Sequence, residues 1–339
     1  MFRKIIFYSL VLMGAQTLRA QDFHLTHYDA AKIYLNPAMT GMFDGYYRIH
    51  ANYRNQWSAI PGRPFQTMAV AWDMPVNRYG VGAQILDNNA GEGNYNVLQL
   101  NLSGAYDLQL DHNNNHHLSF GMEAGVIQKS INYNKLTWGE QYTLANDGGF
   151  DQSMPSGEGY TGSENHYMLD INAGALYYYA KDGARVNPFI GVAMFNMNQP
   201  NESFYSGASK LPMHFILHSG ARVGINERLQ LQPRFLFMKQ SNDVETVFGV
   251  MGNYLLPSSD SYLIFGPSFR YVGPHNYHDF DAAIMEFGLK QGAFTYRLSY
   301  DVNISTLKPT TNNRGGIEFS VIYVAKRKTP VVAPNCPRL

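Results

Sequence analysis

Apolar and polar residues alternate singly along most of this chain. In Leu98-Gln99-Leu100-Asn101-Leu102-Ser103 every second residue is apolar. The pattern returns in His117-Leu118-Ser119-Phe120-Gly121-Met122-Glu123-Ala124, in Leu229-Gln230-Leu231-Gln232 and in Phe294-Thr295-Tyr296-Arg297-Leu298-Ser299-Tyr300. Successive side chains of a strand point to opposite faces, so each segment has one apolar and one polar face. No hydrophobic helical stretch follows the N-terminus. A soluble sandwich accounts for a few such segments. Repeated from end to end, they predict an all-β fold, a closed antiparallel barrel crossing an outer membrane.

The alternation predicts about fourteen strands. They lie near 45–55, 64–74, 79–88, 94–109, 116–129, 167–181, 187–198, 211–225, 228–239, 243–255, 261–273, 280–290, 293–304 and 314–325. An even count suits a closed barrel with both termini on one side. The connections follow a matching rhythm. Pro75-Val76-Asn77-Arg78, Asp111–Asn115, Lys181–Val186, Asn226-Glu227-Arg228, Pro257–Asp260 and Gln291-Gly292 are short and rich in turn residues. These are assigned to the periplasm. The alternate connections are assigned to the outer side and include the long stretch 130–166 and the moderate 199–210.

The faces follow from the alternation. Strand 229–237 turns Leu229, Leu231, Phe235 and Phe237 to lipid, and Gln230, Gln232 and Arg234 inward. Strand 293–304 turns Phe294, Tyr296, Leu298, Tyr300 and Val302 outward, and Arg297, Asp301 and Asn303 inward. Inward charges accumulate at Arg48, Arg54, Glu123, Arg222, Arg234, Arg270, Glu286, Arg297, Asp301 and Glu318. One reading pairs them with each other and with lumen water. The other makes them a selectivity ring or a ligand-conducting pore.

The ends and the composition refine this picture. Residues 1–20 read as a signal peptide, with Arg3 and Lys4 ahead of an apolar run from Ile5 to Gly14 and Leu18-Arg19-Ala20 as the cleavage site. The run is too short for a membrane span. Removing Arg3, Lys4 and Arg19 leaves 23 basic residues against 26 acidic ones, and nothing in that balance points to nucleic acid. Twenty-four tyrosines suit membrane interfaces, where an amphipathic ring sits between lipid and water. The single cysteine, Cys336, allows no disulfide within the chain. A lipid anchor needs a cysteine just after the signal, and Gln21 stands there.

No catalytic signature is present: no Gly-x-Ser-x-Gly elbow, no phosphate loop, no paired-cysteine metal motif. The chain is expected not to be an enzyme and to need no cofactor. His112, His116 and His117 crowd a periplasmic turn, and His275 and His278 share an outer loop; neither group has the support a metal site needs. Loop 130–166 carries Glu140, Asp147, Asp151, Glu158 and Glu164 without an EF-hand spacing.

Several signatures exceed what a generic barrel demands. They are Asn36-Pro37-Ala38 with Gly41, then Tyr53-Arg54-Asn55-Gln56-Trp57, then Pro64 and Thr67 leading to Asp73-Met74-Pro75. Gly80-Val81-Gly82 and Asp87-Asn88 with Gly91 follow, and Ser299-Tyr300-Asp301-Val302 and Gly316-Ile317-Glu318 sit near the end. In this order the chain is similar to the PorP/SprF family of Bacteroidota outer-membrane proteins, over nearly all of its expected mature length. Met39-Thr40 and Ile317 depart from the family's usual residues, which leaves the subgroup open. The resemblance implies a non-enzymatic barrel of the type IX secretion and gliding system. It would sit in outer-membrane lipid, contact periplasmic components and serve a secreted or surface-anchored client, such as a large adhesin. A transport channel for small or apolar solutes is the alternative. Residues 21–44 are expected as an ordered segment that enters or seals the periplasmic mouth, 45–325 as the barrel, and 326–339 as a basic periplasmic tail beginning Lys326-Arg327-Lys328.

Overall fold

The computed structural model describes residues 23–58, 64–91, 93–144, 148–158, 163–204, 207–257, 259–274, 279–306 and 308–327. The expected signal peptide, His275, His278, Cys336 and most of the C-terminal tail lie outside the described residues. Fourteen strands close into one antiparallel barrel. They are β1 (Arg48–Gln56), β2 (Phe65–Val76), β3 (Tyr79–Ala90), β4 (Tyr95–Gln109), β5 (His116–Asn132), β8 (Ser163–Tyr179) and β9 (Val186–Phe195), then β10 (His214–Gly224), β11 (Leu229–Gln240), β12 (Asp243–Leu255), β13 (Tyr262–Pro274), β14 (Asp279–Gln291), β15 (Phe294–Asn303) and β16 (Arg314–Val324). A small hairpin, β6 (Tyr142–Thr143) with β7 (Gly149–Phe150), stands apart in the connection between β5 and β8.

Each barrel strand pairs with its sequence neighbours, and β1 closes on β16 from Arg48↔Val324 to Gln56↔Gly316. Closure leaves no free sheet edge around the ring. Among the described residues no helix is long and apolar enough to cross a membrane; strands make the crossing. The outward faces are apolar: Phe235, Phe248, Phe269, Leu298 and Tyr300 are all exposed. At the end that holds the short turns, Tyr47, Tyr323 and Phe294 form a ring cluster, with centroids 5.9 and 4.9 Å apart, as an interfacial aromatic belt requires.

The structure corrects the longest predicted loop. β5 and β8 each run for 17 residues, so the connection 130–166 shortens from both ends. The added segments are Ser130-Ile131-Asn132 and Ser163-Glu164-Asn165-His166, the second polar at four consecutive positions. Beyond the bilayer both faces of a strand meet water, so the alternation that marks a membrane strand stops while the strand continues.

Candidate functional site

The lumen is filled by the chain's own residues 23–44, which lie almost wholly buried within the ring. Their path is set locally by Asn36-Pro37-Ala38. Pro37 confines Asn36 to extended backbone, here φ −162° and ψ 119°, and opens a 3-10 turn over Pro37–Met39 behind a short helix, α1 (Lys32–Leu35). The Asn36 side chain then works in two directions. Its Oδ1 accepts from Ala38 N at 2.9 Å, capping the turn, while its Nδ2 donates to the carbonyls of Ala175 on β8 and Val192 on β9, each at 3.1 Å. Ala38 O accepts from Ser119 Oγ at 2.7 Å. Gly41, at φ +72°, donates its N–H to Asp73 Oδ2 at 2.7 Å. A Cβ there would come within 2.6 Å of Gly80 Cα, so plug and wall meet backbone to backbone.

The plug is held differently on its two sides. On one side the contact is apolar. Tyr28, Leu35, Ala38, Met39 and Met42 pack against the inward residues Leu176, Tyr178, Ala193, Ile216, Leu236, Met238 and Val247 of β8 to β12. Leu25 and Ala31 meet Ala69 and Leu86 of β2 and β3.

On the other side the contact is ionic and spans β1 and β12 to β16, with β11 joining through Arg234. Glu318 accepts from Thr26 N (2.6 Å), His27 N (2.7 Å), Asn52 Nδ2 (2.8 Å) and Arg54 Nη1 (3.1 Å). Arg54 Nη2 donates to Asp301 Oδ2 at 2.8 Å, and Asp301 also pairs with Arg270 and accepts from Thr26 Oγ1. Arg270 Nε reaches Asp281 at 3.0 Å. His24 lies 3.2 Å from both Arg54 Nη2 and Glu245 Oε2. In a second cluster Asp29 accepts from Arg234 Nη1 (3.0 Å) and from Arg297 Nη1 and Nη2 (3.0 and 2.9 Å). Both arginines also pair with Glu286. His27 stands between the clusters, 3.6 Å from Glu286 and 3.7 Å from Glu318. Nearer the turn end Arg48 grips Asp73 through two bonds of 2.9 and 2.6 Å. Such pairs add little net stability over an apolar packing, but removing one partner strands a buried charge at about 3–5 kcal/mol.

The structure thus brings Asn36, Pro37, Ala38, Gly41, Arg48, Arg54, Asp73, Arg234, Arg270, Glu286, Arg297, Asp301 and Glu318 to the junction of plug and wall. Gln56 accepts from Arg54 at 3.1 Å, and Pro75 lies beside Gly41. Four others stand outside it. Trp57, at φ +59°, packs edge-on to Phe65; Pro64 precedes β2; Asp87 accepts from Asn96 Nδ2 at 2.7 Å; Gly91, at φ +71°, turns the chain between β3 and β4. Arg222 sits half-exposed on β10. Glu123 is ringed by amides instead of arginines.

The inward charges do pair with one another, as in Arg48–Asp73, Arg54–Asp301 and Arg297–Glu286, but the reading that gave them only lumen water as a further partner missed the plug. His24, Thr26, His27 and Asp29 of the plug take up the remaining valences of the wall. One signal was available in the sequence. Phe235-Leu236-Phe237-Met238 and Leu176-Tyr177-Tyr178 are apolar on both faces, which a water-filled lumen forbids and a filled one needs. Among the turn histidines, His117 is stacked on Tyr178 with centroids 4.6 Å apart and bonds Asp107 at 2.9 Å. Asp111, in the turn itself, accepts from the backbone N–H groups of His116 and Asn115, which hold its carboxyl below the usual carboxylate range.

A closed fourteen-strand barrel with an apolar exterior and a charged, occupied lumen defines an outer-membrane protein of the bacterial barrel type. More narrowly, the chain belongs to the PorP/SprF family of type IX secretion system membrane proteins, whose model matches residues 17–323. No curated protein matches it. Among solved structures it is similar to the CymD monoaromatic hydrocarbon channel at 12% identity and TM-score 0.50, covering 88% of this chain and 94% of that one. A Pseudomonas aeruginosa FadL homologue matches at 11% identity and TM-score 0.44, over 87% and 94% of the two chains. At these identities the likeness concerns the fold.

Proposed function

We propose that this barrel is a non-enzymatic partner of the type IX secretion machinery that supports export or surface retention of a client protein, such as a large adhesin. The observation that carries this reading is the plug. A lumen packed on one side with apolar contacts and latched on the other by two ion clusters suits a scaffold better than an open pore. Both rims offer surfaces for partners. On the outer side the connection between β5 and β8 presents Leu144, Phe150 and Tyr142, all exposed, on a loop built around the β6–β7 hairpin. Exposed aromatic and aliphatic side chains on a shaped loop are what a protein partner buries. On the turn side, a small cleft lies between Thr40–Phe43 of the plug, Arg78 of the wall and Arg327, which follows the last strand. Arg327 Nε donates to Gly45 O at 2.8 Å, so the start of the basic tail is anchored at this mouth, where a periplasmic component would meet it.

The test compares the surface proteome of cells lacking the gene with that of cells carrying a barrel without residues 143–163. Loss of one surface protein in both strains supports the reading. An unchanged surface proteome in both, together with reduced uptake of a solute, would instead establish the transport channel.

A further inference from the structure

β8 rises past the strand beside it. On one side β5 pairs with its whole length, from Tyr179↔His116 to Ser163↔Asn132. On the other side the ladder with β9 runs only from Tyr178↔Phe189 to Ala173↔Met194, the shortest in the ring. β9 ends at Phe195. Beyond it Asn196, at φ +55°, and Gln199, at φ +43°, turn the chain off the ladder. The chain then crosses to His166, whose Nε2 donates to Asn201 O at 2.6 Å. The outer part of β8 keeps an edge that β9 does not cover.

One rung of that edge is filled by a side chain. Met197 N donates to Ile171 O at 2.9 Å. Ile171 N donates to Asn198 Oδ1 at 3.3 Å, and Asn198 Nδ2 donates to Leu169 O at 2.7 Å. A carboxamide carries the same donor and acceptor as a peptide group, so Asn198 stands where an adjoining strand would present its main chain. A strand residue directs its N–H and C=O to one side, and successive residues alternate. The backbone groups of Leu169 and Tyr167 therefore point to the same edge as those of Ile171. The N–H of Leu169 and both backbone groups of Tyr167 have no partner there among the described residues.

The side chains agree. Leu169 is 67% exposed, Tyr167 63%, and Ile171 is exposed as well, at alternate positions on the outward face. Met168 and Asp170 between them are buried. Tyr177 marks the turn side, where its hydroxyl bonds His116 at 2.8 Å. From Tyr177 to Tyr167 the strand climbs on the order of 25 Å, at about 3.3 Å per residue and a tilt of roughly 40°. That is the height of the apolar band, so Leu169 lies just inside its outer boundary. An unpaired N–H at that depth is costly, and an exposed apolar edge is a template for another strand.

We propose that the outer edge of β8 docks an extended segment of another polypeptide. The segment pairs main chain to main chain with Leu169 and Tyr167 and sets apolar side chains beside theirs at alternate positions. Asn198 identifies the chemistry: one rung is already read by an amide, and the next repeats the same donor and acceptor, Leu169 N–H and Tyr167 C=O. The segment continues the ladder that β9 leaves. The edge is a property of β8 and does not depend on the secretion reading.

The full chain in phosphatidylcholine nanodiscs tests this, with a fluorescent octapeptide of alternating threonine and valine as the probe. An analogue N-methylated at every residue keeps the side chains and loses the N–H donors. Anisotropy is expected to show saturable binding beyond that to empty discs, and about tenfold weaker binding of the analogue, the effect of losing two main-chain hydrogen bonds. Leu169→Pro removes an N–H that points away from β5, which an edge position tolerates, and is expected to weaken the octapeptide by about tenfold. Tyr167→Lys, which places a charge on the edge, is expected to weaken it several-fold. If Leu169→Pro fails to fold, as judged by heat-modifiable migration, Tyr167→Lys and the analogue decide. Absence of saturable binding, equal affinity for the analogue, or an affinity unchanged in every variant that folds overturns the proposal. Dimerisation of the chain that Leu169→Pro abolishes, without peptide binding, assigns the edge to a second copy and overturns it too.

Discussion

Replacing Glu318 by glutamine removes the acceptor at which the plug meets the wall. Glu318 is fully buried. Its Oε2 serves Thr26 N and Arg54 Nη1, and its Oε1 serves His27 N and Asn52 Nδ2. A carboxylate satisfies all four donors. A carboxamide keeps one acceptor oxygen and sets an NH2 group against the other two donors. Whichever way the amide turns, two bonds to a charged group are lost, at about 1.5–3 kcal/mol each, giving about 3–6 kcal/mol in all. None of this falls on the barrel ladder, because the backbone pairing of β16 with β1 and β15 does not involve the side chain. Of the two bonds lost, one joins plug to wall (Thr26 or His27) and the other joins β16 to β1 (Arg54 or Asn52), so the barrel should persist while plug docking weakens by about one to two orders of magnitude. Heat-modifiable migration checks the barrel, limited proteolysis reports residues 23–44, and planar-bilayer recording reports the lumen. The expected result is a barrel of normal migration, a plug cleaved within 23–44, and a conductance absent from the wild type. A Glu318→Gln protein that protects the plug and conducts no more than the wild type would refute the reasoning.

Three further outcomes are expected. Phe235 is exposed on the outward face of β11, so Phe235→Arg should cost about 2–4 kcal/mol in a refolding titration, whereas Gln232→Arg on the inward face should cost far less. Gly80→Val should place a side chain against the Thr40 carbonyl and loosen the plug by about 1–3 kcal/mol or more, read as faster proteolysis of 23–44 with an intact barrel. The depressed carboxyl of Asp111 ties its turn at pH values above the ordinary carboxylate pKa and releases it as pH falls through the lowered value. The protection of the Asn115 and His116 amides, taken relative to their intrinsic exchange at each pH, should therefore fall on acidification, and the Asp111→Asn variant should lose that pH dependence.

The ring of strands was legible because a membrane imposes one requirement on every strand, an apolar outward face at every second residue. Phe294, Tyr296, Leu298, Tyr300 and Val302 obey it without exception, and all five are exposed on β15. Where that requirement lapses, legibility lapses too. The outer ends of β5 and β8, residues 130–132 and 163–166, lie beyond the apolar alternation and read as loop. The lumen was harder still. An inward arginine looks the same on paper whether it faces water, another strand or a plug, and Arg234 and Arg297 turn out to share Asp29, more than two hundred residues away in sequence. Asn36-Pro37-Ala38 marked where the plug turns, because a proline restricts its predecessor locally. The partners of Asn36, the carbonyls of Ala175 and Val192, are a property of the closed ring and have no local signature.

The two-sided grip on the plug has a consequence for how it can leave. Within 23–44 the regular structure is confined to four helical residues and one 3-10 turn, too little to be stable away from the wall. Undocking is therefore also unfolding, and the entropy regained by the freed segment favours release once contacts begin to fail. The apolar side resists by area, which any approaching ligand must strip away. The ionic side resists by geometry, through a few bonds that a single charge can rearrange. His27 occupies the point of greatest leverage, buried between Glu286 and Glu318 with each of its ring nitrogens facing one carboxylate. A partner that drew the 41–44 segment outward from the turn-side mouth would first strain the Gly41–Asp73 bond and would reach the ionic clusters only after the 3-10 turn had come away from Ser119. Force from that side meets the contacts in series. Variants at Glu318 and at Gly80 load the two ends of the plug separately, the first at Thr26 and His27 and the second at Thr40.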